Sequence, residues 1–276
     1  MAPTTEKASS EPQEADSWVE VRRRKVHPGV KKASTKKTPH AFTPGEPTIS
    51  LEQMKQEYSR FSSEWLASPA CAQLRELLSG HTASTGSRIT KAICFGLGSF
   101  DTPVYDWKRS THIQMAAFLA IVEHLQIEAN SQIRCIFQEP VFNSVDKAFI
   151  TSLGHEVVES PVGFQLVDSE TMTFGIHLYK TVCTQILANC IPAIYIGTSL
   201  GAWSDTMSEP IPDYARLVKL EQLSTKVEFP NNKSDHSFSS TTIHWRRKDQ
   251  AQEIPTPALN LLRDLHKMPR WLELTR

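Results

Sequence analysis

"KAICFGLGSFD", Lys91 to Asp101, decides how the rest of the chain is read. A short apolar run stops abruptly at Gly-Leu-Gly-Ser. In a parallel α/β sheet this is how a first strand gives way to its loop, and ligands sit beyond such strand ends. Glycine at 96 and 98 lets the backbone come close to a bound group, or take a left-handed turn. The stretch therefore admits three readings: a phosphate-cradling turn, the start of a catalytic site, or a tight strand-to-helix corner.

Downstream the pattern alternates. "ITKAICF" predicts a buried strand and "STHIQMAAFLAIVEHLQ" a largely apolar helix. "IRCIF" follows as a second strand. "NSVDKAFITSLG" is a short helix stopped by Gly154, and "EVV" a third strand. "TMTFGIHL" is a fourth strand, "YKTVCTQILANC" a helix and "AIYIG" a fifth strand. Continuous apolar strands separated by helices imply a parallel sheet covered on both faces. The fold class is thus α/β: a Rossmann-like three-layer sandwich with a mainly parallel sheet. After Gly197 the signal thins to a helix at "PDYARLVKLEQLS", a loop at "PNNKSDHSFSS", a late strand at "STTIHW" and a last helix at "TPALNLLRDLHK".

Upstream, "SLEQ" reads as a capping box, with Ser50 as N-cap and Gln53 reaching back. Leu51, Met54, Tyr58, Phe61 and Trp65 then recur at helical spacing and read as core. "SPACAQLRELLSG" restarts a helix, with Pro69 at its first position and Gly80 just past its end.

Residues 1 to about 45 are rich in Ser, Thr, Pro, Glu and Lys and offer little to bury, so they read as a disordered tail preceding a folded domain at 46–276. The tail carries Trp18 and two basic clusters, Arg22 to Lys25 and Lys31, Lys32, Lys36 and Lys37. Such runs suit nuclear import or weak contact with a polyanion, and are otherwise solvated charge. The 276 residues carry no formal net charge, which removes whole-molecule steering toward nucleic acid. Five cysteines form no CxxC pair, which predicts a reduced intracellular protein without a metal site. No apolar signal core opens the sequence, and "IQMAAFLAIV" is too short to span a bilayer. The expectation is a cytoplasmic protein with a nuclear option in the tail, not a membrane protein.

Candidate site residues come from the strand ends. Gly96, Gly98 and Ser99 follow the first strand, Glu139 the second, His177 the fourth, and Thr198 and Ser199 the fifth. Gly96, Gly98, Ser99, Glu139 and Thr198 are the ligand-binding candidates; His177, Glu139 and Ser199 are the catalytic ones. The third glycine of a dinucleotide fingerprint is absent, "TPVYDWKRS" separates the turn from its helix, and no GxxxxGK[ST] loop occurs. Glu139 stands where an acidic residue would meet a ribose hydroxyl, or would instead hold the turn. His177 is the one histidine at a predicted strand end, and either a base or a satisfied structural group. "GTSLG", Gly197 to Gly201, matches the G-x-S-x-G elbow, with Asp205 or Asp213 and His236 or His244 in hydrolase order. The following "AWSDTMSEPIP" does not read as the long helix that elbow requires.

Taken in order, "ICFGLGSF", "HIQMAAFLAIVEHL", "QEPVFNSVDKAFITSLGHEVV", "FGIHL" and "YIGTSLGAW" resemble the sensitivity-to-red-light-reduced-like (SRR-like) domain family, over about residues 89–203. "WVEVRRRK" and "HSFSSTTIHW" extend the likeness to both sides. There are departures. The family often has Asp before its Pro-Val-Phe, where this chain has Glu139. Its Met-Pro-His-Cys becomes Gly175, Ile176, His177 and Leu178, which keeps the histidine, loses the cysteine and speaks against a Cys–His pair. Its Gly-Asn-Ser becomes Gly197, Thr198 and Ser199, so Ser199 need not be a nucleophile. The resemblance implies a regulatory protein. Members are linked to light signalling and circadian control in plants, to haem biosynthesis and clock-gene expression in animals, and to microtubule-related phenotypes in yeast. It brings no established reaction, and neither a cofactor nor a particular ligand or protein partner.

Overall fold

The computed structural model describes residues 44–248, apart from 86–87, 200, 205–213 and 233–235. The basic clusters, Trp18 and the expected last helix at 256–267 lie outside the described residues, as do Asp205 and Asp213.

Seven strands form one sheet: β1 (Lys91–Phe95), β2 (Arg134–Gln138), β3 (Glu156–Val157), β4 (Thr171–Gly175), β5 (Ile194–Thr198), β6 (Ser224–Glu228) and β7 (Thr241–Arg246). Their order across the sheet is β3-β2-β1-β4-β5-β7-β6. The first five are parallel. β7 runs antiparallel to β5, and β6 antiparallel to β7. β1 thus lies between β2 and β4, so the chain reverses its direction of winding there.

Alternation along β1 builds the layers. Ala92 and Cys94 join one apolar cluster with Phe118, Phe149 and Trp65. Ile93 and Phe95 join another with Cys183, Ile186 and Leu217. The first layer holds α1 (Leu51–Leu66), α2 (Pro69–Thr85), α3 (Tyr105–Ala129) and α4 (Ser144–Ser152). The second holds α5 (Val162–Gln165), α6 (Lys180–Ile186) and α8 (Tyr214–Leu223). A short α7 (Gly201–Ser204) follows β5. Both sheet faces are covered, which is why the parallel strands read as unbroken apolar runs.

α1 begins with the capping box of Ser50 and Gln53, as the sequence indicates. α2 departs from expectation, because it runs through Gly80 to Thr85. A helix interior tolerates glycine at a cost of ~1 kcal/mol, and tertiary contact offsets that cost here. His81, one residue beyond, stacks on Trp245 of β7 with ring centroids 4.4 Å apart. α3 also differs. It starts at Tyr105, so "YDWKRS" is helix and only a few residues separate it from the glycine turn. Its N-cap, Val104, supplies no side-chain cap, which removes the usual sequence signal. β6 was not anticipated either: its burial alternates weakly, and among the described strands it pairs with β7 alone.

Candidate functional site

Every strand-end residue singled out above lies at the carboxyl edge of the sheet. Gly96, Glu139 and His177 follow β1, β2 and β4, and Thr198 closes β5. Two hollows meet there. One, of about 650 Å³, lies on the α3 side and is lined by Gly98, Ser99, Trp107, Gln114, His177 and His236 among others. The other, of about 310 Å³, lies toward α6 and includes Glu139, Phe164, Leu178 and Tyr179. Gly96, Val141 and His177 border both.

The glycine turn has a local physical cause. Gly96 and Gly98 have φ of +65° and +82°, in the left-handed region that side chains resist. Gly96 answers a packing demand as well. A Cβ at Gly96, or at Gly175 on the neighbouring strand, would collide with Leu178. Leu178 therefore fills the seam between β1 and β4, at the position where the resemblance leads one to expect cysteine.

Two carboxylates, one half-buried and one buried, hold the turn. Glu139 accepts the Gly98 N–H (2.9 Å) on one oxygen and the Val141 N–H (3.0 Å) on the other. Burial pushes its pKa up, while those two N–H groups and the charge of nearby Asp146 pull it in opposite directions. Asp146, fully buried, accepts from Ser99 Oγ (2.7 Å), Phe100 N–H (3.0 Å) and Asn143 N–H (2.9 Å). Burial raises its pKa too, against the pull of the Ser99 hydroxyl and backbone N–H groups. Asp146 is also the third residue of the α4 capping box, with Asn143 as N-cap. One carboxylate thus starts a helix and anchors the loop after β1. Asp101 completes the knot, accepting from Asn143 Nδ2 (3.1 Å) and the Thr48 N–H (2.5 Å). Its pKa is held down because hydrogen bonds from Thr48 and Asn143 outweigh its partial burial.

His177 is exposed and has φ of +54°, unusual outside glycine. Its Nε2 lies 3.0 Å from Ser239 O and 3.2 Å from Ser239 Oγ. A carbonyl can only accept, so Nε2 carries the proton and Nδ1 is left as an acceptor in the neutral ring. The sharp turn at His177 folds Leu178 back over the two glycines.

The Ser199 constellation does not assemble among the described residues. The Ser199 N–H donates to Ser240 O (2.9 Å), and α7 beyond it has four residues. No hydrogen bond joins Ser199 Oγ to a described histidine. His244 instead pairs in register with Tyr195 and reaches Thr242 Oγ1 at 3.0 Å. Thr198 is buried, and its hydroxyl has no partner among the described residues.

The sequence gives no site role to Asp146 or Trp107, and shows Leu178 only as a replacement for cysteine. Asp146 was open to discovery, since "NSVD" has the Asn-x-x-Asp form of a capping box. Trp107 was hidden by reading "TPVYDWKRS" as a loop. Among the described residues, no group of three His, Cys, Asp or Glu gathers as a metal site. No described helix is long and apolar enough to cross a membrane.

A Rossmann-like three-layer fold with two hollows at its strand reversal is the class these features define. The SRR1 domain profile matches residues 70–245, from the start of α2 to the penultimate residue of β7. This chain belongs to the SRR1 domain family. Comparison with curated proteins finds no match.

Proposed function

We propose that this protein acts by binding, seating a small ligand at the strand-end cleft and using it to regulate a partner inside the cell. The observation that carries this reading is the meeting of two hollows at Gly96 and His177, where β1 and β4 diverge. Open α/β sheets bind ligands at such a point, because loops leave the sheet there in opposite directions and leave a crevice. A left-handed residue other than glycine at the same place is the kind of backbone strain that functional sites retain. The regulatory sense comes from the family resemblance, which couples members to signalling and biosynthetic control without a reaction. A serine hydrolase gains no support, since no described base reaches Ser199.

The test pairs a small-molecule readout with a cellular one. Protein freshly purified from its own cells is examined by native mass spectrometry, and Trp107→Ala and His177→Ala are tested for complementing cells that lack the gene. Both side chains are exposed, so melting temperatures should stay near the parent's. The expected result is a bound small molecule in the parent, and reduced complementation by both variants. Full complementation by both would move the working surface away from the cleft.

A further inference from the structure

The glycine turn has the outline of a phosphate cradle, but two of its hydrogen-bond donors are already engaged. The Gly98 N–H goes to Glu139 at 2.9 Å, and the Ser99 hydroxyl goes to Asp146 at 2.7 Å. On the facing side of the hollow, Thr111 Oγ1 donates to Leu97 O (3.2 Å), and Gln114 Nε2 donates to Ser237 O (2.9 Å). A phosphate or carboxylate placed at Gly98 and Ser99 would find both of these donors already turned to the carboxylates of Glu139 and Asp146.

The surrounding charge points the same way. Neither hollow has a lysine or arginine among its described lining residues. Lys108 and Arg109, which follow Trp107 on the first turns of α3, are drawn to α1, where they pair with Glu57 (3.0 Å) and Glu64 (2.7 Å). Asp106 of the same helix lines the α3-side hollow, beside Trp107, a residue that is 68% exposed. A face with acceptors, an acidic side chain and an open indole is suited to a ligand that brings its own donors and a flat ring. An anion would be desolvated there without a counter-charge.

Resting on the binding reading above, we infer that the α3-side hollow takes a neutral or cationic planar nitrogen heterocycle and excludes phosphorylated and other anionic ligands. Trp107 would stack on the ring, and a positive charge would gain from both the indole face and Asp106. Gln114 and His177 Nδ1 would accept from ligand N–H groups.

Three probes with one ring skeleton and different charge separate the possibilities: 1-methylnicotinamide (cation), nicotinamide (neutral) and nicotinate (anion). Each is titrated into the full ¹⁵N-labelled chain, with the Trp107 indole N–H and the Gly98 amide as reporters. The expected order of affinity is cation, then neutral, with nicotinate giving no saturable shift at either reporter. Asp106→Asn, an exposed change, should weaken the cation about two- to fivefold and leave nicotinamide unchanged. Nicotinate binding as tightly as the cation, or inorganic phosphate saturating the Gly98 amide, would overturn the charge class and leave the binding reading standing. No shift from any of the three probes would overturn the heterocycle proposal. The binding reading itself is then decided separately, by whether the native protein carries a small molecule.

Discussion

Gly96 follows β1 and Gly175 ends the neighbouring parallel β4, and Leu178 packs over both. The glycines and the leucine are therefore one packing unit, and either glycine's lack of a side chain is needed whether or not a ligand is present. Gly96→Ala should destabilise by about 2–4 kcal/mol. Roughly 1 kcal/mol of this is for an alanine at positive φ, and about 1–3 kcal/mol for the clash with Leu178. In a Leu178→Ala background the clash disappears and only the backbone part should remain. Urea denaturation of the four proteins in this cycle checks the claim, and additive losses would remove Leu178 as the cause. The sequence shows the two glycines clearly but not what they face. Leu178 arrives there only because His177 turns through φ of +54°, and nothing in "GIHLY" announces that turn. Glu139 and Ser99 were legible as polar strand-end residues. That both serve the turn itself, Ser99 through Asp146 some 47 positions on, depends on long-range contact.

At the scale of elements, legibility followed burial and capping. Four of the five parallel strands, β1, β2, β4 and β5, were readable because both faces are buried, which makes each one a largely apolar run. α1 was readable to its first residue because Ser50 and Gln53 form a reciprocal cap. β6 was not readable, since an edge strand with only Ser224 buried has little apolar pattern to show. α2 shows the limit of a local rule. Glycine commonly ends helices, but Gly80 lacks the positive φ of a terminating residue, and the His81–Trp245 stack carries the helix past it. A Cβ at Gly80 would meet nothing within 4 Å. Gly80→Ala should therefore raise stability by about 0.5–1 kcal/mol, because it narrows the unfolded ensemble at no steric cost. Thermal denaturation checks this, and a lower melting temperature would show that the helix needs freedom at that point.

Across the whole molecule, two buried histidines contribute to the response to acid, one on α3 and one on β7 facing α8. His112 on α3 lies among Phe61, Phe100 and Tyr58, and neither ring nitrogen has a hydrogen-bond partner among the described residues. Burial pushes its pKa down to about 3, helped by the charges of Lys108 and Arg60. His244 on β7 faces Glu221 of α8 at 4.0 Å, and burial lowers its pKa to about 4 despite that carboxylate. A base whose folded pKa is depressed binds fewer protons folded than unfolded. Its contribution is therefore complete above the unfolded value of about 6.5, and is lost as pH falls toward the folded value. Glu139 and Asp146, with raised pKa, act with the opposite sign, since the folded state holds their protons more tightly. Comparing variants at fixed pH separates the two effects. His112→Leu removes one titrating group while keeping an apolar side chain of similar volume. Its stability at pH 7 should lie within ~1.5 kcal/mol of the parent. Between pH 7 and pH 5 the parent should lose about 2 kcal/mol more than the variant, the full value for one histidine kept neutral across that interval. Urea titrations at the two pH values measure the difference directly. Equal losses in parent and variant would mean that His112 accepts a proton in the folded state, and that water or a shift of Glu57 reaches its ring.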